Sequence, residues 1–485
     1  FPTRRSSDLV RHVEALIVGS GAGGSSTAAT LSAAGIQTLV LEEGPEVAGG
    51  TFRQFSQDQM RAQYRRRGQL VALGLPPITY AEGRCLGGST EINSGLYHRP
   101  SATLLEGWTR GWSIDDLTAE AIAPISDAIE RNLSVSRFPD GLPPASAFLT
   151  RGAQRLGWLS AEVPRWFRHD TGQRQSMSLT YLAFARRHGA EIESGVWVRR
   201  LVIERGRAVA AEVEQSDGSM ERIAFDTVFV CGGAVQSAAL LLRSGIRRNV
   251  GRTLSMHPTV KAVAFSELIG SDPGDVPVTQ VREFAPDMTI GGSATDPPLL
   301  ALALLPTKIG VDGILDYGPT AGIYYAAIRS SGRGRVRVLP GLRDPLVTFR
   351  LPAADFARLQ SAMGRLLLVL HAAGSDWVVA SVHAGQAITR EAQIPEEVAR
   401  MSRRTVDVMT VHVCSSVPMG ERQDICAVDS HGASHEVAGL IVNDASIVNG
   451  APGINPQGTV MALAIRNAEH YLTQSGVRPG TRDFL

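Results

Sequence analysis

The sequence predicts an α/β fold, and three stretches carry that reading. They are a strand, glycine turn, helix and strand from Val13 to Glu42; strands in close succession between residues 190 and 232; and a change to strands, loops and one long helix between Thr259 and Arg404. Val13 to Val18 is short, mostly apolar and rich in β-branched residues, which suits a strand covered on both faces of a parallel sheet. Gly19-Ser20-Gly21-Ala22-Gly23-Gly24 follows at once. In this spacing the first glycine permits a sharp turn, the second lets backbone approach a diphosphate, and Gly24 brings the next helix against the strand. A side chain at any of them is expected to obstruct. The helix is expected from Ser25 to about Ala34 with Gly35 as its stop, and its small residues leave the N-terminal amides open to an anion. Thr38 to Leu41 is the next strand. It ends in Glu42, 18 positions past Gly24, where an acid accepts hydrogen bonds from a ribose diol. Together these make a Rossmann-like dinucleotide-binding unit. A carboxylate at position 42 argues against NADP without separating NAD from FAD.

Bulk properties narrow the rest. At 485 residues the chain has room for two or three domains. A net charge of +1 with 20% charged residues leaves no basic surface for nucleic acid; all but two basic residues, Lys261 and Lys308, are arginines dispersed among acids. Cys85, Cys231, Cys414 and Cys426 have no CxxC or metal-ligand spacing, so no metal is expected and a reducing, cytoplasmic compartment is the default. No run is long and apolar enough to span a bilayer. Phe1 to Leu9 has no apolar period, reads as linker or adaptor sequence, and is set aside.

Residues 51 to 80 are rich in Arg and Gln and read as a surface excursion without strands. Gly83-Arg84-Cys85-Leu86-Gly87-Gly88-Ser89-Thr90-Glu91-Ile92-Asn93 is a second glycine-rich loop, either a plain turn before a helix or a second set of backbone donors with an arginine, suited to the far side of the same diphosphate. Strands are expected at Ala190 to Glu193, Val196 to Ile203, Ala208 to Gln215, Arg222 to Phe225 and Val228 to Cys231, with Ser216-Asp217-Gly218 as a hairpin turn. Leu254-Ser255-Met256-His257-Pro258 marks the exit from this domain, because proline pushes the preceding residue out of helix; His257 is read as structural. Beyond it, Pro297 to Leu305 is the most apolar run in a region of strands and loops. Ala353 to Ala373 reads as one helix with Leu359, Met363, Leu366, Leu367 and Leu370 on its core face.

The Gly19 to Gly24 turn, Glu42 and the Gly83 to Asn93 loop together resemble the glucose–methanol–choline (GMC) oxidoreductases, FAD enzymes that oxidise alcohols. Gly111 to Leu117 is similar to a family segment that begins a helix, and Gly232-Gly233-Ala234-Val235-Gln236-Ser237 resembles the second family signature with Ala238 in place of a usual proline. The resemblance implies a Rossmann-like FAD domain assembled from residues 10–98, 190–258 and 405–485. An α+β substrate domain built on an antiparallel sheet, residues 259–404 with a cap segment at 99–189, interrupts it. It places Gly19, Gly21, Gly23, Gly24, Glu42, Arg84, Gly87, Gly88, Ser89, Asn93, Val198, Asp444, Ala445, Pro456, Gln457 and Thr459 at FAD. Ile92 stands where some members carry a histidine bonded to the flavin, so non-covalent FAD is implied.

Flavin-dependent alcohol oxidation needs a base for the hydroxyl proton, and imidazole suits it near neutral pH. In the family a histidine before a Ser/Gly-rich turn ending in Met-Gly is that base, which points to His412 in Val411-His412-Val413-Cys414-Ser415-Ser416-Val417-Pro418-Met419-Gly420. Asn455, in Gly453-Ile454-Asn455-Pro456-Gln457-Gly458-Thr459, falls where members place the second polar group over the flavin; its plain alternative is a helix cap. The resemblance also implies that the apolar helix after it, Val460 to Leu472, directs its positive end at the flavin. His431, His435 and His470 are expected to face solvent. The implied activity is oxidation of a primary or secondary alcohol, with oxygen or another acceptor taking the electrons. The rival is a redox-inactive flavin lyase resembling the hydroxynitrile lyases.

Overall fold

A computed structural model of the chain describes residues 11–270, 276–310, 312 and 318–484; the set-aside residues 1–9 lie outside them. Strand β1 (Arg11–Val18) runs parallel to β2 (Thr38–Glu42) on one side and to the strand Met220–Val230 on the other, with helix α1 (Ala22–Ala33) as the crossover. Glu191–Ser194 extends the sheet in parallel beyond β2. The hairpin of Trp197–Glu204 and Arg207–Glu214 joins the near half of Met220–Val230 antiparallel, and Leu440–Val442 joins its far half in parallel. The carboxyl ends of four parallel strands therefore meet at Val18, Leu41, Val230 and Val442, the edge where such sheets bind ligands. The two strands expected between Arg222 and Cys231 are one. Asp226 lies on an exposed position beside His12, and Thr227 keeps its register with Ala15, so two polar residues pass through without breaking the ladder.

The second sheet is mostly antiparallel. Its spatial order is Leu70–Ala72, Ile78–Tyr80, Val408–Thr410, Thr259–Phe265, Ala321–Ile328, Met288–Gly292, Thr279–Val281 and Ser160–Glu162, with Trp377–Ala380 also paired to Thr259–Phe265. Two of these strands lie in the stretch read as a surface excursion. At three residues each they are too short to show a period of two. The apolar run at 297–305 is a helix, Pro297–Leu304: both prolines sit in its first turn, where missing N–H groups cost nothing. Leu300, Ala303 and Leu304 close a separate core with Val263, Phe265, Ile323 and Val379, while Leu302 and Leu305 are exposed.

Helix Ala353–Ala373 forms as expected, with Leu359, Met363, Leu366, Leu367 and Leu370 fully buried. It crosses helix Pro144–Arg155 closely because Gly152 has no side chain; a Cβ there would sit 2.1 Å from the Val369 carbonyl oxygen. On the parallel side the last helix, Gln457–Gln474, lies along α1. Asn443 clamps the two: its Nδ2 donates to Thr27 Oγ1 at 2.9 Å and to the Ala464 carbonyl at 2.9 Å.

Candidate active site

The glycine turn is shaped by close approach. A Cβ on Gly19 would meet the Cys231 carbonyl oxygen at 2.4 Å, on Gly23 that of Asn443 at 2.1 Å, and on Gly24 that of Gly19 at 1.9 Å. Gly21 differs from the other three: its Cβ would meet nothing within 4 Å. What that glycine spares is the space in front of the helix N-terminus, where an anion belongs. The second loop faces this space. Gly88 is 2.9 Å, measured from a built Cβ, from Gly21 Cα, and Gly87 N–H donates to Ser20 Oγ at 3.0 Å.

Glu42 is buried at the end of β2. Its Oε2 accepts from Ser20 N–H at 3.1 Å and Ser20 O–H at 2.7 Å, and its Oε1 accepts only from Gly44 N–H at 2.8 Å, which leaves that oxygen a lone pair for a hydroxyl. Burial raises the Glu42 pKa, against the pull of these donors. Thr459 Oγ1, in the first turn of the last helix, is buried without a partner. Open space at Gly21, a free acceptor on Glu42 and an orphaned hydroxyl on Thr459 fit a nucleotide cofactor running between the two glycine loops.

Other expected contacts are placed less simply. Asn93 Nδ2 donates to Gln457 Oε1 at 2.7 Å, joining the second loop to the last helix just beyond Pro456. Ser89 Oγ accepts from Gly83 N–H at 2.9 Å, closing its own loop. Arg84 pairs with the acid next to Glu42, its Nε donating to Glu43 at 3.1 Å. Asp444 is buried and saturated: Oδ2 accepts from Gly233 N–H at 2.7 Å and from Ser237, and Oδ1 accepts from Ser446. Its side chain thus ties the second glycine signature to the Asp-Ala-Ser segment, and the carbonyl of Ala445 accepts from Ser415 N–H at 3.2 Å. Val198 is buried on its strand opposite Val213, just after Val196 N–H meets the Glu42 carbonyl. The spacing gave no sign of Arg174, whose half-buried guanidinium caps the carbonyls of Asn93 and Glu91 and so braces the second loop.

His412 is set by a short antiparallel ladder that pairs Ser255 with Cys414 and Met256 with Val413. One step further His257 and His412 stand opposite each other, their Nδ1 atoms 2.9 Å apart and their rings nearly perpendicular. Pro258 then ends the ladder and sends the chain into the second sheet at Thr259. Asn455 Nδ2 lies 3.3 Å from His412 Nε2, so the two residues named for chemistry do come together. Behind them Gln280 reaches Asn455 at 3.2 Å and Tyr325 at 3.3 Å, and His98 lies 3.2 Å from Arg282. A cavity of about 20 Å³, room for little more than one oxygen-sized group, is lined by His412, His257, Asn455, Gln280, Tyr325 and Arg329 among others. Burial pushes His412 down to about 4, burial and Arg282 push His98 down to about 4, and burial drives His257 well below the usual imidazole value. Gln280, Tyr325 and His98 have no local motif and were not foreseen; His257, read as structural, is in the cluster. The three distant histidines, expected at solvent, are half-buried: His431 and His470 stack at 3.5 Å, and His435 Nε2 meets the Gly420 carbonyl at 2.9 Å.

A parallel sheet with open space at Gly21 on its carboxyl edge, and an imidazole and an amide that share one cavity, are the features of a nucleotide-dependent enzyme. The chain belongs to the GMC oxidoreductases: the family's N-terminal model matches residues 13–259 and its C-terminal model residues 330–464. It is therefore an FAD-dependent oxidoreductase acting on CH–OH groups. It is 36% identical to an uncharacterised GMC-type oxidoreductase of Sinorhizobium fredii, over 97% of this chain and 96% of that one. It is 26% identical to a long-chain-alcohol oxidase of Arabidopsis thaliana over 93% of this chain and 66% of that protein. The fold is shared with pyridoxine 4-oxidase from Mesorbium loti at a TM-score of 0.74 and 20% identity, covering 95% and 99% of the two chains. Among the described residues no helix is long and apolar enough to cross a membrane and no group of His, Cys, Asp and Glu is arranged to hold a metal.

Proposed function

We propose that the chain oxidises a primary or secondary alcohol to its aldehyde or ketone using non-covalently held FAD, with His412 as the proton acceptor and Asn455 as the group that positions the alcohol oxygen. The observation that carries this is the 3.3 Å pairing of His412 Nε2 with the Asn455 amide on the wall of an oxygen-sized cavity. FAD would be held between the two glycine loops and would supply the hydride acceptor there. Asn455 is itself fixed by Gln280, so its amide orients an oxygen without first having to be ordered. With its pKa at about 4, His412 is neutral across the physiological range, so it carries no proton that must leave before it can act as a base. Ile92, buried where a linking histidine stands in some members, has no atom that bonds to a flavin, which supports non-covalent binding. The apolar run at 299–305 gives no support to a hydrophobic substrate, since its buried side chains fill a separate core and none lines the cavity at His412.

The test is anaerobic addition of a panel of alcohols, sugars and sterols to the yellow holoenzyme. Bleaching of the flavin by one of them is expected; flavin absorbance unchanged by every CH–OH compound would overturn the reading in favour of a redox-inactive lyase. Oxygen uptake against reduction of an added dye then identifies the electron acceptor.

A further inference from the structure

We propose that His257 is a positioning residue that decides which nitrogen of His412 carries its proton, and that in the substrate-free enzyme it keeps that proton on Nε2. This deepens the role given to His412 above and rests on it.

Four groups in line share the protons in question. The Gly453 N–H donates to His257 Nε2 over 2.8 Å, and a backbone amide can only donate. His257 Nε2 is therefore the lone-pair nitrogen, and the neutral ring carries its hydrogen on Nδ1. That hydrogen lies along the 2.9 Å contact to His412 Nδ1, which accepts it. A neutral His412 then has its own hydrogen on Nε2, facing Asn455 at 3.3 Å. Asn455 meets it with Oδ1 after a half-turn of the amide, and Gln280 turns its carbonyl toward Asn455 in the same way; such half-turns keep every heavy atom in place. Gly453 has no equivalent freedom. Its φ is +80°, and a Cβ built on it would lie 2.8 Å from the Pro286 carbonyl oxygen, so its peptide is seated against the neighbouring chain.

Neutrality of the pair follows from its surroundings. The charged or titratable groups that face it are Arg329 toward His257 and His98, itself beside Arg282, toward His412; Tyr325 and Gln280 are uncharged. Among the described residues no carboxylate hydrogen-bonds to either ring. A cation there would have only positive or neutral neighbours.

A ring with hydrogen on Nε2 cannot take the hydroxyl proton at that atom. The accepting form has hydrogen on His412 Nδ1, donated to His257 Nδ1, and hydrogen on His257 Nε2, which requires the Gly453 amide to let go. In that exchange one proton crosses from His257 Nδ1 to His412 Nδ1, the Nε2 proton of His412 leaves to water, and water returns one to His257 Nε2. The pair holds two ring protons before and after.

The experiment uses the holoenzyme with ¹⁵N-labelled histidine and no substrate, reading two-bond nitrogen–proton correlations. The His412 signals are assigned by their loss in His412→Gln. In the wild type His412 is expected as the Nε2–H tautomer, neutral down to about pH 4. In His257→Asn the amide accepts as readily as it donates, so His412 is expected to shift toward Nδ1–H and to titrate higher by about one pH unit. A wild-type His412 already carrying its proton on Nδ1 overturns the proposal, as does a His257→Asn protein with tautomer and titration unmoved. If that variant does not fold, the wild-type spectrum alone decides. Alcohols that fail to bleach the flavin, with the tautomer as stated, would instead count against the proposed reaction.

Discussion

On the proposed reading, the two sheets would recognise their ligands in different ways. At the parallel sheet, the cofactor side is made of backbone: three glycines whose missing side chains let carbonyls come within about 2.5 Å of where a Cβ would be, one spared space at Gly21, and one acid at a strand end. The glycines and the acid lie within residues 19–42, though the carbonyls that approach Gly19 and Gly23 come from Cys231 and Asn443. At the antiparallel sheet, the substrate side is made of side chains from Gln280, Tyr325, His412 and Asn455, brought together from strands and loops far apart in the chain. Backbone recognition fails when atoms are added. Side-chain recognition fails when they are taken away.

Three substitutions and one pH series test that division. The largest effect is expected from Gly24→Ala, whose Cβ would lie 1.9 Å from the Gly19 oxygen: the purified protein should be colourless, and a retained flavin spectrum would break the contrast. His412→Ala comes next. It should stay yellow and reduce its flavin about 10²- to 10⁴-fold more slowly, read by stopped-flow under anaerobic conditions. Leu366→Ala, in the fully buried face of the long helix, should cost about 2–5 kcal/mol in denaturant unfolding while the flavin remains bound, because the cavity it opens is in the substrate half.

The smallest effect is a pH dependence of stability. His412 is held neutral in the fold at a pKa of about 4, below the 6.5 of a free imidazole, so between these values the unfolded chain binds more protons. Stability from this group is full above pH 6.5, falls as pH drops toward 4, and is flat below. His412→Gln should therefore show a shallower loss of Tm across that window; an identical slope would show that the ring is not buried as neutral imidazole. His98, also at about 4, adds the same sign and should be unaffected by that substitution.

What was legible follows the same division. The glycine spacing, Glu42, the hairpin at Asp217 and the helix Ala353–Ala373 could be read because each is a local pattern whose period or turn chemistry is complete within a few residues. Strands at 70–72 and 78–80 were missed because three residues carry no period, and the helix at 297–304 was taken for a strand-like run because its core contacts are fewer than its apolar residues. His412 and Asn455 were found through family resemblance. Their neighbours Gln280, Tyr325 and His98 had no such flag, and His257 was set aside because nothing in Met256-His257-Pro258 announces that Val413 lies opposite Met256.

That two-rung ladder has a consequence for anyone rebuilding the molecule. Side chains on a strand alternate faces with every residue, so one amino acid inserted or removed between Ser255 and His257, or between His412 and Cys414, would swing a ring to the far side and leave its partner alone. A foreign substrate module spliced onto this flavin scaffold should therefore be cut after Pro258 and before Val411, leaving both rungs intact as the fixed joint between the halves.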